Sequence, residues 1–174
     1  MLAGLATLTG VAMLAPEVRA DQTGFAAGSL IIPMDACFQA APDMPKPSGC
    51  VDGKDPPDDG AVAAYGVVTV LLQRGVRVSV AIDDDKKKLD EPDFSITDAS
   101  GAAPVRRLNR ATDGVVSFTS QATVTYRGAP FIIDAVDAPT ARQVLRGELG
   151  SASTAVHVAQ VPFTAKVALQ LAVP

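Results

Sequence analysis

The chain contains no tryptophan, one histidine and two cysteines among its 174 residues, and aromatics make up only 5%. Two cysteines and one histidine cannot supply the repeated ligand pairs of a zinc ribbon or zinc finger. Two cysteines also exclude a multi-disulfide miniprotein. Without tryptophan there is no obvious platform for stacking sugars. Basic residues are not in excess: Lys+Arg is 15 against Asp+Glu 19, a net charge of −4, which excludes a strongly basic nucleic-acid binder. No Walker A sequence is present, and no Gly-x-Gly-x-x-Gly follows the first strand, so a dinucleotide site of the usual kind is not expected. What is present is an apolar fraction of 48% with 20% charged residues. That balance is ordinary for a globular protein and excludes disorder throughout. The length suits one domain with an extension and is enough to bury a sizeable core.

The front of the chain reads MLAGLATLTGVAMLAPEVRA. Leu2 to Ala15 is apolar apart from small Gly and Thr residues, shorter than the ~20 residues a spanning helix needs. With Val18-Arg19-Ala20 before a cut, residues 1–20 read as a signal peptide and 21–28 as a linker. The other reading is a buried N-terminal helix. No later segment is long and apolar enough to span a membrane. The expected localisation is therefore extracytoplasmic: periplasm, cell surface or secreted. Cys37 and Cys50 flank FQAAPDMPKPSG, which Pro and Gly keep from forming a regular element. In an oxidising compartment a disulfide between them would contribute about 3 kcal/mol by the chain-entropy model. The alternative, Cys37 as a nucleophile, needs the distant His157.

SLIIPM (29–34) reads as a buried strand, followed by a Pro- and Asp-rich insertion over 36–60. AVAAYGVVTVLLQR (61–74) is apolar on nearly every face and reads as a buried helix closed by Gly75. VRVSVAI (76–82) then alternates like a strand. Strand, helix and strand in this order suggest a parallel crossover. Strand-like stretches within 93–127 suggest an added antiparallel edge hairpin. PFIID (130–134) reads as another buried strand, Asp137-Ala-Pro as a helix start, VHVAQV as a short strand, and FTAKVALQLA as a last helix. Together these predict a single α/β domain over 29–174, a Rossmann-like or flavodoxin-like three-layer sandwich with a mostly parallel sheet.

The phrases GSLIIPMD, AYGVVTVLLQRGVRVSVAI, TYRGAPFIIDAVDA and VHVAQVPFTAKVALQL occur in that order over residues 28–174. The chain thereby resembles an uncharacterised family of exported bacterial proteins marked by "IPMD", "AYGxVxxLLxxGVxV" and "YRGxPFxID". Ala129 replaces the second Gly of an "RGG" phrase, and Ser79 stands where a large residue is usual. The beginning of such chains is similar to the class I glutamine amidotransferase-like superfamily, which implies a Rossmann-like start. That superfamily's Gly-x-Cys-x-Gly turn is missing here, so amidotransferase chemistry is not carried over. In the family the pattern continues past the equivalent of Pro174, which implies a chain incomplete at its C-terminus.

Three expected strands each end in aspartate: Asp35, Asp83 and Asp134. In a parallel sheet these would share one edge and could hold a divalent cation, Mg²⁺ or Ca²⁺, through oxygen ligands. Aspartate is equally common at strand ends as a cap for free N–H groups. The acidic stretch Asp52 to Gly60 lacks the spacing and closing Glu of an EF-hand and reads as a solvated loop. So does the charge run DDDKKKLDEPD. His157 has no Gly-x-Ser-x-Gly elbow to serve and reads as an ordinary strand histidine. Arg127-Gly128 could meet an anion or form a turn whose Arg pairs with a nearby Asp. Arg106, Arg107 and Arg110 lack aromatic partners and read as solvent-facing.

With no complete catalytic motif, the leading expectation is an exported, non-catalytic binding or structural module, the front of a larger surface or periplasmic protein. It would have no resident cofactor, and a protein or cell-surface component rather than nucleic acid as partner. The alternatives are a metal-assisted hydrolase using Asp35, Asp83 and Asp134, and a truncated chain without independent function.

Overall fold

A computed structural model describes residues 20–39, 60–149 and 154–173. Its elements are β1 (Asp21–Phe25), β2 (Leu30–Ile32), α1 (Gly60–Gln73), β3 (Val78–Ala81), β4 (Phe94–Thr97) and β5 (Val105–Asn109). They continue with β6 (Gly114–Val116), β7 (Thr123–Tyr126), β8 (Phe131–Ile133), α2 (Ala138–Gly147), β9 (His157–Ala159) and β10 (Phe163–Leu171). Eight strands form one sheet in the order β1-β10-β3-β8-β2-β9-β5-β6, while β4 and β7 pair as a separate ribbon. Every pairing is antiparallel.

The mostly parallel, Rossmann-like sandwich is therefore wrong. α1 does link β2 to β3, and these two strands do run the same way. β8, however, lies between them, antiparallel to both, with Ile132 opposite Ile31 on one side and Ser79 on the other. In the same manner α2 links β8 to β9, and β2 lies between those two. Two crossovers are thus interleaved, giving the β-α-β-β-α-β order of a split, ferredoxin-like core. The expected helix at the C-terminal end is also wrong. There β10 alternates Phe163 and Ala165 inward with Thr164 and Lys166 outward, and it pairs with β1 and β3. Its Ala, Leu, Lys and Gln are good helix formers, but such preferences are worth under about 1 kcal/mol per residue and pairing with β1 and β3 outweighs them. Residues 21–25, expected as linker, form the edge strand β1 along β10.

Continuous apolar runs usually mark parallel strands because both of their faces are covered. Here the same condition arises in an antiparallel sheet. Leu30 and Ile32 of β2 and Phe131 and Ile133 of β8 pack under the helices, with Ala64, Val67, Leu71, Ala141 and Leu145. Ile31 and Ile132 point the other way, into a second core with Phe94, Ile96, Val124 and Tyr126 of the ribbon. The ribbon thus lies over the sheet rather than extending its edge. The β5–β6 hairpin is what extends the edge, alongside β9.

α1 ends as expected: Gly75 takes φ 77°. Its N–H donates to Leu72 O at 3.0 Å, and the Val76 N–H donates to Leu71 O at 3.1 Å. This is the double bond of a glycine-closed helix end. α1 is not buried all round, since Val62 and Tyr65 are exposed. Among the described residues no helix is long and apolar enough to cross a membrane. Residues 1–19 of the expected signal peptide and residues 40–59 of the expected insertion lie outside the described residues.

Candidate functional site

The antiparallel order decides where the three strand-end aspartates go. β2 and β3 finish at one edge of the sheet, so Asp35 and Asp83 stand there. β8 runs the opposite way, so Asp134 stands at the far edge. There its Oδ1 accepts the Val136 N–H at 3.0 Å, and its main-chain oxygen receives the Asp137 and Ala138 N–H groups at the start of α2. The three do not converge. Asp134 plays the capping role that was the alternative to metal binding.

The edge holding Asp35 and Asp83 contains more acid than the strand ends alone supplied. Asp83, Asp84 and Asp85 follow β3 in a tight turn and bring carboxylate oxygens within 4.8 Å of one another. Lys166 of β10 reaches into this turn. Its Nζ donates to Asp83 at 2.8 Å, to Asp84 at 3.0 Å and to Asp85. The hydrogen bond from Lys166 holds Asp83 below the usual carboxylate range, with help from the Asp85 N–H, and it does the same for Asp84. In return the carboxylates, Asp83 first, push the Lys166 ammonium further up. A side-chain cation therefore sits among the oxygens that a metal would need. The DDDKKK run hid this arrangement, because charge runs usually face water. Nothing about Lys166 in its strand marked it for the partnership.

Behind this turn lies Asp93, whose side chain is fully buried. Its Oδ1 accepts the Lys86 Nζ at 2.6 Å and the Asp83 N–H at 3.1 Å. Its Oδ2 accepts the Ala129 N–H at 2.9 Å. A buried carboxylate is tolerated when it is paired and hydrogen-bonded in this way. Asp35 is also well covered. Its Oδ1 accepts the Cys37 N–H at 2.9 Å and its Oδ2 the Arg127 N–H at 3.3 Å. Burial pushes Asp35 above the usual carboxylate value, opposed by those two N–H groups and by the positive charge of Arg127.

Asp35 and Asp93 thus grip the two ends of one turn, Arg127-Gly128-Ala129. Gly128 and Ala129 both have left-handed backbones, φ 77° and 60°. At Gly128 a Cβ would lie 3.3 Å from the Met34 oxygen, so glycine is required for the close approach. The Arg127 guanidinium reaches the Asp90 main-chain oxygen at 2.9 Å. Of the two readings of Arg127-Gly128, the turn is the one that forms, with aspartates binding its amides rather than its guanidinium.

His157 is fully buried in the core beneath the ribbon. Its Nδ1 is 2.9 Å from the Tyr126 hydroxyl, and its ring stacks on Phe118 at 4.3 Å. A histidine sealed from water cannot exchange protons with a substrate. Cys37 is disulfide-bonded, and Cys50, its expected partner, lies outside the described residues. Arg110 donates to the Leu149 main-chain oxygen at 3.0 Å, and Arg106 is exposed. No family model, curated protein or solved structure matches this chain.

Proposed function

We propose that this chain is an exported, non-catalytic binding or structural module built on a β-rich core. The observation that carries the reading is the ammonium of Lys166 among Asp83, Asp84 and Asp85. It occupies the one described acidic cluster suited to a metal. Two acids near that cluster agree: Asp35 and Asp93 spend their oxygens on backbone amides and Lys86. Among the described residues, Asp35, Asp93 and His157 make contacts that support the fold. Export rests on the signal-like residues 1–20 and on the resemblance to exported proteins.

The reading is tested by thermal melting with and without Mg²⁺ or Ca²⁺. A site filled at about 100 times its dissociation constant stabilises by about 2.7 kcal/mol. We expect no shift for the native protein and a gain of Ca²⁺ response in Lys166→Gln, which leaves the three carboxylates without their cation. A shift in the native protein would overturn the non-catalytic reading in favour of a metal site. Intact mass of the recovered protein checks export independently: the species is expected to begin at Asp21 and to accept thiol label only after reduction.

A further inference from the structure

The Arg127–Ala129 turn carries the chain from β7 in the ribbon to β8 in the sheet. It is held at one end by Asp35, which follows β2, and at the other by Asp93, which precedes β4. Its two consecutive left-handed residues include a non-glycine, Ala129, a conformation that persists only when its surroundings impose it. We propose that this turn is an acid-released latch between the two layers: Asp35 holds the Arg127 amide as a carboxylate and lets it go on taking up a proton.

The geometry sets which bond yields. Both Asp35 oxygens are occupied by N–H donors, from Cys37 at 2.9 Å and from Arg127 at 3.3 Å. A protonated carboxyl carries a hydrogen on one oxygen and no negative charge, so the N–H facing that oxygen meets a much poorer acceptor. The longer contact, to Arg127, is the one to give way. The groups facing Asp35 are the Arg127 side chain, His157 of β9 and the Cys37 turn, and Cys37 does not titrate because it is disulfide-bonded. Asp93 holds the other end at the Ala129 N–H, with Lys86 on its second oxygen, so Asp35 governs the Arg127 end alone.

Linkage gives the sign. An N–H bonded to the anion favours the anion, so the proton favours the state in which that bond is broken and Asp35 remains covered. Unfolding would instead expose Asp35 and return it toward its ordinary value, below the raised value it has when folded. Acid therefore opens the latch while opposing unfolding through the same group. Local opening and global unfolding respond to this proton in opposite directions.

The experiment is hydrogen exchange by NMR, corrected for intrinsic rates, from about pH 7 to about pH 3, with the Asp35 side-chain carbon followed in the same samples. Protection of the Arg127 amide is expected to fall about tenfold, the loss of one bond to a charged acceptor. The fall should track the Asp35 titration, while Ile132 in β8 stays protected. Asp35→Asn should remove the pH dependence at Arg127. Should that variant not fold, the coincidence of the two wild-type curves decides. Constant protection at Arg127, a fall displaced from the Asp35 titration, or loss at Ile132 in step with Arg127 would each overturn the latch.

Discussion

On the face of the large sheet that carries α1 and α2, the buried side chains are almost all aliphatic: Leu30, Ile32, Val67, Leu71, Ile133 and Leu145 among them. On the opposite face, beneath the β4–β7 ribbon, the core is built from Phe25, Phe38, Phe94, Phe118, Tyr126 and Phe163. That second face also takes in polar groups. His157 meets the Tyr126 hydroxyl, and Gln39 exchanges two hydrogen bonds with the backbone of Ala155, each 3.1 Å. The two helices supply long apolar stripes that cover one face by themselves. A two-stranded ribbon is too narrow for that, so it covers the other face with large rings. The polar groups on that side find partners within the fold, His157 in the Tyr126 hydroxyl and Gln39 in the Ala155 backbone.

The largest expected effect tests whether the aromatic layer depends on its rings. Phe94 stacks on Tyr126 at 5.0 Å and on Phe163 at 5.5 Å. It is thus the ring through which β4, β7 and β10 meet. Phe94→Ala is expected to cost about 4 kcal/mol in urea unfolding, and Leu145→Ala on the helix side about 3 kcal/mol. The distinction lies in where the damage spreads. Leu145→Ala should leave a local cavity, whereas Phe94→Ala should lower amide protection along the whole ribbon. Equal and local responses would mean that the two layers are held in the same way.

A smaller effect separates the polar part of the aromatic layer from its packing. Tyr126→Phe keeps the ring and removes the hydroxyl that meets His157 Nδ1. The expected loss is about 1–2 kcal/mol in the same unfolding measurement, the usual cost of leaving a buried polar atom without that bond. A neutral result would show that the ring alone matters.

This asymmetry also explains how much could be read from residues alone. The helix side was legible: α1, α2 and the strands β2, β3, β8 and β9 all appear near their expected places, because hydrophobic runs and the Gly75 stop are local signals. Strand order was not legible. A continuous run such as Leu30-Ile31-Ile32 reports two covered faces and says nothing of what covers the second one or in which direction the neighbour runs. The ribbon side draws on residues from Phe25 to Phe163, and no local pattern links them. The acidic edge was read in part. Asp35 and Asp83 were marked by ending strands, while Asp93 and Lys166 owe their roles to contacts made only once β4 and β10 are in place. Asp134 was marked by the same rule and sits at the wrong edge, because the rule assumed that every strand points the same way.

The smallest expected effect concerns three acids at that one edge, Asp83 and Asp84 responding to pH in one sense and Asp35 in the other. Lys166 holds Asp83 and Asp84 below their ordinary values, so their contribution to stability is present above the unfolded carboxylate pKa, about 3.9. It is lost as pH falls through their lower folded values. Asp35 is raised by burial, so its contribution is present below the unfolded value and is lost as pH rises through its folded one. Lys166→Gln should therefore flatten the stability loss below about pH 4, whereas Asp35→Asn should remove a gain in stability that builds as pH falls from the raised Asp35 value toward about 4. Both changes should be modest, since the Lys166 cluster is open to water and salt and exposed ion pairs are screened. Urea midpoints across this range decide the matter. If both variants shift the acid limb in the same direction, burial does not separate Asp35 from the open acids beside it, and the edge behaves as one cluster of surface charge.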